Sequence, residues 1–156
     1  MAGRKRYSRE FKLEAVKLLE KQVERGKLDA DDRDAVLGRV RAVADLGELA
    51  DCDLVIESIV EDLVAKRALF GELDRICGEG TILATNTSYL DVARLAACTR
   101  RPAEVIGMHF FSPANVMRLL ENVRTPQTAA DVQATVMQVG RRLGKVSQLA
   151  LGVSDQ

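Results

Sequence analysis

Apolar positions in the first forty residues recur at helical spacing. The pattern predicts one helix from Ser8 to Arg25, capped by Ser8 and ended by Gly26, with Phe11, Ala15, Leu18, Leu19 and Val23 near one face. Asp29 is placed to cap a second helix over Ala30 to Val40, and Val36 and Leu37 would lie on its buried side. The first part of the chain is therefore predicted to be helical.

From Asp53 onward, short β-branched runs alternate with segments of helical spacing. The predicted strands are Asp53–Ile59, Thr81–Thr85, Val105–Phe110 and Lys145–Leu151. The predicted helices are Asp62–Ile76, Leu90–Ala97 and a segment from Thr125 to about Leu143. Such alternation is typical of an α/β domain with a largely parallel sheet, flanked by helices and joined by right-handed crossovers.

Composition and charge narrow the class of protein. The chain has 156 residues, of which 47% are hydrophobic, and 23 basic residues balance 23 acidic ones. These values suit one soluble globular domain and exclude a mainly disordered chain. No apolar run approaches the roughly 20 residues that a membrane span needs. Residues 1–19 carry six basic and two acidic side chains, which suggests a composite chain.

Cysteine and aromatic content argue against two kinds of site. Cys52, Cys77 and Cys98 are odd in number and widely spaced, so we expect reduced thiols in a cytoplasmic protein and no metal site. Aromatic residues make up 4% of the chain and tryptophan is absent, which argues against a base-stacking surface for nucleic acid.

Polar residues follow three of the predicted strands. Glu57 to Glu61 lie at the carboxyl end of the first, Asn86 to Ser88 follow the second, and His109 lies at the end of the third. Ligands of open parallel sheets bind at the carboxyl ends of strands, so these groups are expected to converge on one edge. A simpler interpretation is also open: residues 86–88 would be a turn that caps the next helix, and Glu61 a first-turn acid.

His109 is the only histidine, and Glu121 follows it by 12 residues. A carboxylate on one ring nitrogen would make a histidine a general acid or base, because it fixes the tautomer and supports the imidazolium. Spacing alone leaves two alternatives open, a structural His109 among apolar residues and a solvated or helix-terminal Glu121. The sequence contains no GxGxxG; its only GxG, Gly78-Glu79-Gly80, precedes a strand and is interpreted as a helix stop.

Three motifs resemble the 3-hydroxyacyl-CoA dehydrogenase family in order and spacing. They are Asp53-Leu-Val-Ile-Glu57, Ala84-Thr-Asn-Thr-Ser88 and Ile106-Gly-Met-His-Phe-Phe-Ser-Pro113. The resemblance runs from about Leu19 to Asp155, and Ser112 to Glu121 is most similar to the multifunctional β-oxidation branch. It implies a Rossmann-type domain that binds NAD and oxidises L-3-hydroxyacyl-CoA to 3-ketoacyl-CoA in fatty acid metabolism.

The resemblance also implies roles for individual residues. His109 would be the general base, Glu121 the carboxylate that orients it, and Ser88 the hydrogen-bond partner of the substrate oxygen. Glu61, Lys66 and Asn86 would line the cofactor cleft. No membrane partner is implied, and the acyl-CoA substrate is the expected ligand.

The chain departs from the family pattern at both ends. The family's opening strand, its glycine-rich turn and the helix and strand after it have no counterpart here. The segment leading into the family's helical dimerising domain is also not reached. We therefore expect a partial Rossmann-type sheet with impaired activity, and an exposed sheet edge that favours self-association.

The basic start has a second resemblance. Residues 4–18 are similar to the first helix of insertion-sequence transposases, but a groove-reading second helix is not evident. The sequence is accordingly divided into a transposase-like segment, 1–19, and a truncated dehydrogenase domain, 20–156. The alternatives to an enzyme are a small DNA-binding protein, although nucleic acid is not the expected partner, and an inactive remnant.

Overall fold

The computed structural model describes residues 16–152, which fall into two compact units that divide between Glu48 and Leu49. In the first unit, helix α1 covers residues 16–24 and helix α2 covers Ala30–Arg39. Gly26 follows α1 with a φ of 65°, the left-handed conformation that ends helices. The predicted cap at Ser8 and the rest of that helix before residue 16 lie outside the described residues.

The cap of α2 is the one that the sequence predicts. The Asp29 side chain accepts a hydrogen bond from the Asp32 backbone N–H at 2.8 Å. Val36 and Leu37 are half-buried, and α2 ends at Arg39, one residue before the predicted end. A 3-10 turn, Leu46–Leu49, follows.

The second unit is built on a five-stranded sheet. Its strands are β1 Leu54–Glu57, β2 Ile82–Thr85, β3 Val105–Phe110, β4 Leu119–Arg124 and β5 Val146–Leu151, and they lie in that order across the sheet. Neighbouring strands are parallel except for β3 and β4, which are antiparallel. The prediction of an α/β fold with a largely parallel sheet is confirmed.

Helices cover both faces of this sheet. Helix α3, Leu63–Ile76, and helix α4, Val92–Ala96, pack on one face, and α5, Ala130–Arg142, packs on the other. The α3 and α4 side holds a core of Phe70, Leu73, Cys77, Leu83, Val92, Leu95, Ala96 and Val105. The α5 side holds Ile82, Ala84, Ile106, Met108, Leu120, Val132 and Val136. Alternate residues of β2 and β3 thus serve the two cores, as the period of a strand requires.

Several predicted boundaries are wrong in instructive ways. The helix predicted from Thr125 begins at Ala130. Thr128 Oγ1 accepts a hydrogen bond from the Thr125 N–H at 2.9 Å and donates one to the Val105 carbonyl. These bonds fold residues 125–129 into a turn. Helix α4 begins at Val92, two residues late, where Asp91 caps it. The first strand is shorter than predicted and lies at the edge of the sheet.

Strand β4 was not predicted at all. It carries Glu121 and the fully buried Asn122 between apolar residues, a pattern that does not alternate cleanly between apolar and polar. Of the alternatives left open for Glu121, a helix-terminal carboxylate is wrong because the residue lies in a strand. The Asn122 amide group donates to Ser147 Oγ at 2.7 Å, whereas the buried Asn122 Oδ1 has no hydrogen-bond partner among the described residues.

Gly107 brings a helix close to β3, the strand that carries His109. A Cβ atom at Gly107 would lie 2.9 Å from the Val123 Cβ and 3.3 Å from a methyl carbon of Val92. The missing side chain therefore lets α4 pack directly on β3, two residues before its polar end. None of the helices in residues 16–152 is long and apolar enough to cross a membrane.

Candidate active site

His109 and Glu121 face each other across β3 and β4. They are directly paired in the antiparallel register, and His109 Nδ1 lies 3.1 Å from Glu121 Oε2. The side chains are 18% and 38% exposed, so the pair is open to solvent on one side. The Phe111 ring stands 4.5 Å from the imidazole, tilted by 44°. With Nδ1–H donated to the carboxylate, Nε2 carries the lone pair and can accept a proton.

A second charged group lies at the carboxyl ends of β1 and β2. The Lys66 ammonium, on α3, is 2.6 Å from Glu57 Oε1 and 3.1 Å from Glu61 Oε2. Lys66 and Glu57 side chains are 1% and 0% exposed, whereas Glu61 is 29% exposed. Glu57 is further held by the Ile59 N–H at 2.6 Å and the Thr85 hydroxyl at 2.7 Å. We call Glu57, Lys66 and Glu61 the buried ion array.

The array continues into the loop after β2. One Glu61 oxygen accepts hydrogen bonds from the Thr87 hydroxyl and, at 3.1 Å, from the Ser88 N–H. Partial desolvation raises the pKa of Glu61, but the bonds from Thr87, Lys66 and Ser88 outweigh it, so the pKa lies below its ordinary value of 4.5. Glu61 is therefore an ionised carboxylate that fixes the backbone at Ser88.

Asn86 ties the ends of three strands together. Its side-chain oxygen accepts from the Phe110 N–H at 2.7 Å, and its amide donates to Ser58 Oγ at 3.1 Å. The Asn86 backbone N–H also donates to the Glu57 carbonyl at 2.8 Å. Phe110 directly follows His109, so this amide joins the β1 and β2 ends to the catalytic candidate.

The predicted site residues thus form two linked groups at the carboxyl ends of the parallel strands. Glu61, Lys66 and Ser88 make one group, His109 and Glu121 make the other, and Asn86 lies between them. Within residues 16–152 no hydrogen bond joins Ser88 to His109. Extending the β2–β3 register by two residues places Thr87 level with His109, which brings Ser88 to the same edge.

The helix-terminal roles that the simpler interpretation gave to residues 86–88 and to Glu61 are wrong. Helix α4 is capped by Asp91, not by residues 86–88, although Thr87 Oγ1 does accept from the Leu90 N–H. Glu61 lies outside α3, whose cap is Asp62. The sequence placed Glu57 among the polar residues at these strand ends but assigned it no role, and Thr85 was not singled out. The available signal was Glu57 itself, an acidic residue at the end of an apolar strand. A charge buried there needs oppositely charged or hydrogen-bonding partners nearby.

The remaining candidates do not join this edge. Gly78 to Gly80 connects α3 to β2, with Gly80 at a φ of 82°, and so lies at the opposite end of the parallel strands. Cys52, Cys77 and Cys98 are free thiols. In the part of the chain that the structure describes, no cluster of His, Cys, Asp and Glu is arranged to hold a metal ion.

Comparison with known proteins gives the family. The model of the 3-hydroxyacyl-CoA dehydrogenase NAD-binding domain matches residues 3–150. The chain is 47% identical over 137 residues to the peroxisomal bifunctional enzyme of Danio rerio, covering 84% of this chain and 19% of that protein. It is 40% identical over 131 residues to a probable 3-hydroxybutyryl-CoA dehydrogenase of Bacillus subtilis, covering 84% of this chain and 46% of the relative.

A solved structure agrees with the sequence relatives. The crystal structure of 3-hydroxybutyryl-CoA dehydrogenase from Escherichia coli K12 superposes with a TM-score of 0.88 at 37% identity, covering 91% of this chain and 30% of that one. The chain thus spans less than half the length of these three proteins. The family match includes the basic segment, and the findings do not support its likeness to transposases. The chain belongs to the 3-hydroxyacyl-CoA dehydrogenase family, whose NAD-binding domain it matches over most of its length.

Proposed function

We propose that this chain provides the proton-transfer edge of an NAD-dependent L-3-hydroxyacyl-CoA dehydrogenase of fatty acid β-oxidation. The observation that carries the proposal is the His109–Glu121 pair, 3.1 Å apart at the carboxyl end of a central strand in a chain of this family. An acyl-CoA is the substrate class, by analogy with the relatives' names.

The proton chemistry follows from the geometry of the pair. Glu121 accepts a hydrogen bond from the Nδ1–H of His109, so Nε2 is the basic atom and takes the proton of the substrate hydroxyl. Glu121 then stabilises the imidazolium that forms, because the two charges are opposite and in contact. Ser88, exposed on its loop, is proposed to donate a hydrogen bond to the reacting oxygen.

The residues present fit only part of an NAD site. NAD, when bound, accepts the hydride that leaves the substrate carbon. Glu61 is partly exposed at the strand ends, where cofactors of such sheets bind. The side chains of Lys66 and Asn86 are already engaged within the protein. The sequence contains no glycine-rich turn whose backbone N–H groups would hold the pyrophosphate. We therefore expect the 156-residue polypeptide to bind NADH weakly.

A binding experiment tests the location of the site. Amide spectra of the 15N-labelled chain are recorded with NADH up to millimolar concentration, and separately with acetoacetyl-CoA. We expect shifts confined to residues 57–61, 86–88 and 109–121. Shifts concentrated elsewhere, or no shift with either ligand, would contradict the proposed site.

A rate experiment tests the chemistry. We expect the chain alone to reduce acetoacetyl-CoA with NADH negligibly, and any measurable rate to disappear in the His109→Ala variant. Micromolar NADH affinity by calorimetry, with turnover that depends on His109, would contradict the expectation of impaired activity. The same result would support His109 as the general base. Turnover that survives His109→Ala would remove His109 from the mechanism.

Four further predictions remain beside this function. The β1 edge has one strand neighbour and exposes Ile56, and we propose that it supports self-association, which sedimentation velocity would detect. Cytoplasmic location remains a prediction from the reduced cysteines. The division into segments 1–19 and 20–156, and the DNA-binding alternative that goes with it, also remain predictions. The latter requires an affinity for DNA that falls steeply with salt.

A further inference from the structure

His109 and Glu121 belong to a row of three residues that crosses the sheet. His109 on β3 is paired with Glu121 on β4, and Glu121 is paired with Gln148 on β5. Directly paired residues project from the same face of a sheet, on strands about 4.8 Å apart. That face is the one covered by α4, because a Cβ atom at Gly107, two residues before His109, would lie 3.3 Å from a methyl carbon of Val92. Gln148 is therefore the next side chain beyond Glu121 on the face that carries the catalytic candidate.

Gln148 is the one long polar side chain of β5. The strand reads Val146-Ser-Gln-Leu-Ala-Leu151. Ser147 faces the opposite side, toward α5, where its hydroxyl accepts from the Asn122 amide. Gln148 is exposed, and among residues 16–152 its side-chain amide has no hydrogen-bond partner. Its two N–H donors are therefore available to a neighbour on the α4 face.

Glu121 uses only one of its carboxylate oxygens in the pair. Oε2 lies 3.1 Å from His109 Nδ1, whereas no donor within residues 16–152 reaches Oε1. An ionised carboxylate can accept several hydrogen bonds, so a donor at Oε1 does not compete with the imidazole at Oε2. The residue beside Glu121 in the register is thus the one placed to restrain the free oxygen.

We propose that Gln148 is a positioning residue for proton transfer: its side-chain N–H donates to Glu121 Oε1 and keeps Oε2 directed at His109 Nδ1. The inference rests on the proposed function, in which Glu121 orients the general base. The contact requires only rotation about side-chain bonds, because the strand register already sets the two residues side by side. A hydrogen bond to the ionised carboxylate favours ionisation, so the removal of Gln148 has a predictable sign.

Few titratable groups face Glu121. On its own face β3 contributes His109, and the β5 residues on either side of Gln148 are uncharged. Helix α5 packs on the opposite face of the sheet. The other charged residues of the adjoining segments are Asp91, which caps α4, Lys145, which donates to two backbone carbonyls, and Arg118 and Arg124, which fall at even positions and so face the α5 side. Glu121 therefore titrates beside one ionisable neighbour and one amide.

Acid titrations of the Glu121 carboxyl carbon and of the Gln148 side-chain amide, both followed by NMR, test the proposal. In wild type the Gln148 signals should move with the Glu121 midpoint, and that step should disappear in Glu121→Gln. Gln148→Leu removes the donor while keeping a side chain of similar size, and the Glu121 midpoint should rise by about 0.3–0.7 pH unit. Gln148→Lys restores a donor of similar reach and adds a positive charge, so the midpoint should fall below the wild-type value.

The matched control moves the amide by one row. Val146 is exposed on the same face of β5, and Val146→Gln combined with Gln148→Leu should leave the Glu121 midpoint raised. Three results would overturn the proposal: Gln148 signals that do not follow Glu121, an unchanged midpoint in Gln148→Leu, or full restoration by the displaced amide. These titrations require no ligand, whereas the NADH and acetoacetyl-CoA spectra test the proposed function, so a failure of either is recognised separately.

Discussion

The two charged groups at this sheet edge differ in how closed they are. The His109–Glu121 pair is 18% and 38% exposed, whereas Lys66 and Glu57 in the buried ion array are 1% and 0% exposed. A group that exchanges protons with a substrate has to be reachable, while a group that fixes a loop benefits from strong, unscreened contacts. The same edge therefore combines an open pair suited to chemistry with a closed array suited to positioning.

This difference predicts unequal costs for removing one charge. Lys66→Met should lower the free energy of unfolding by about 3–5 kcal/mol, because it leaves the buried Glu57 carboxylate without its counter-ion. Glu72→Gln, which removes an exposed charge from the same helix, should change stability by less than about 0.5 kcal/mol. Urea denaturation of both variants measures the contrast, and equal losses would remove the distinction between closed and exposed charges.

A smaller effect is expected from the hydroxyl that supports the array. Thr85→Val should cost about 1.5–3 kcal/mol, because Thr85 donates to the charged Glu57 carboxylate at 2.7 Å. Thr81→Val removes a comparable hydroxyl near the start of the same strand, where the acceptor is the neutral Cys52 carbonyl at 2.8 Å. That variant should cost about 0.5–1.5 kcal/mol. Thermal unfolding of the pair tests whether the charge of the acceptor matters; a larger loss for Thr81→Val would argue against it.

Acid should weaken the buried ion array by protonating Glu61. The folded-state pKa of Glu61 is lowered, so its contribution to stability is present above the unfolded-state value of 4.5 and is lost as pH falls toward the folded value. Urea midpoints measured from pH 7 to pH 3 should therefore fall more steeply in wild type than in Glu61→Gln. Asp74 contributes acid sensitivity in both proteins. Desolvation raises the pKa of Asp74, but hydrogen bonds from Arg100 and Arg101 outweigh that effect, so its pKa lies below the ordinary value. Parallel curves would contradict the role of Glu61.

Among the changes at the site, the smallest effect on stability is expected at the open pair. Glu121→Gln should alter the free energy of unfolding by less than about 1 kcal/mol, because Glu121 is partly exposed and the amide can still meet the imidazole. Its effect should appear in the ring instead: 15N spectra of His109 should show the proton on Nδ1 in wild type and a larger share on Nε2 in the variant. An unchanged tautomer would mean that Glu121 does not orient His109.

Local sequence patterns predicted the framework of the second unit. The apolar, β-branched runs predicted the central residues of β1, β2, β3 and β5. Asp62 and Gly78 predicted the start and the end of α3 to within two residues. The polar residues after β1, β2 and β3 were expected at one edge because parallel strands align their carboxyl ends. These features depend on neighbouring residues or on a general rule of topology, so the sequence was sufficient for them.

Contacts between distant residues were decided only by the tertiary structure. Strand β4 exists because it pairs with β3 and β5, although its own pattern includes the buried Asn122. That pairing turns a spacing of 12 residues into the 3.1 Å contact of His109 with Glu121. Glu57, Lys66 and Thr85 are ordinary residues in their local segments, and their meeting depends on how α3 packs over β1 and β2. The sequence alone determined which residues could carry chemistry. The packing of the sheet decided which of them are open to a substrate and which are buried, because burial depends on contacts between residues far apart in the chain.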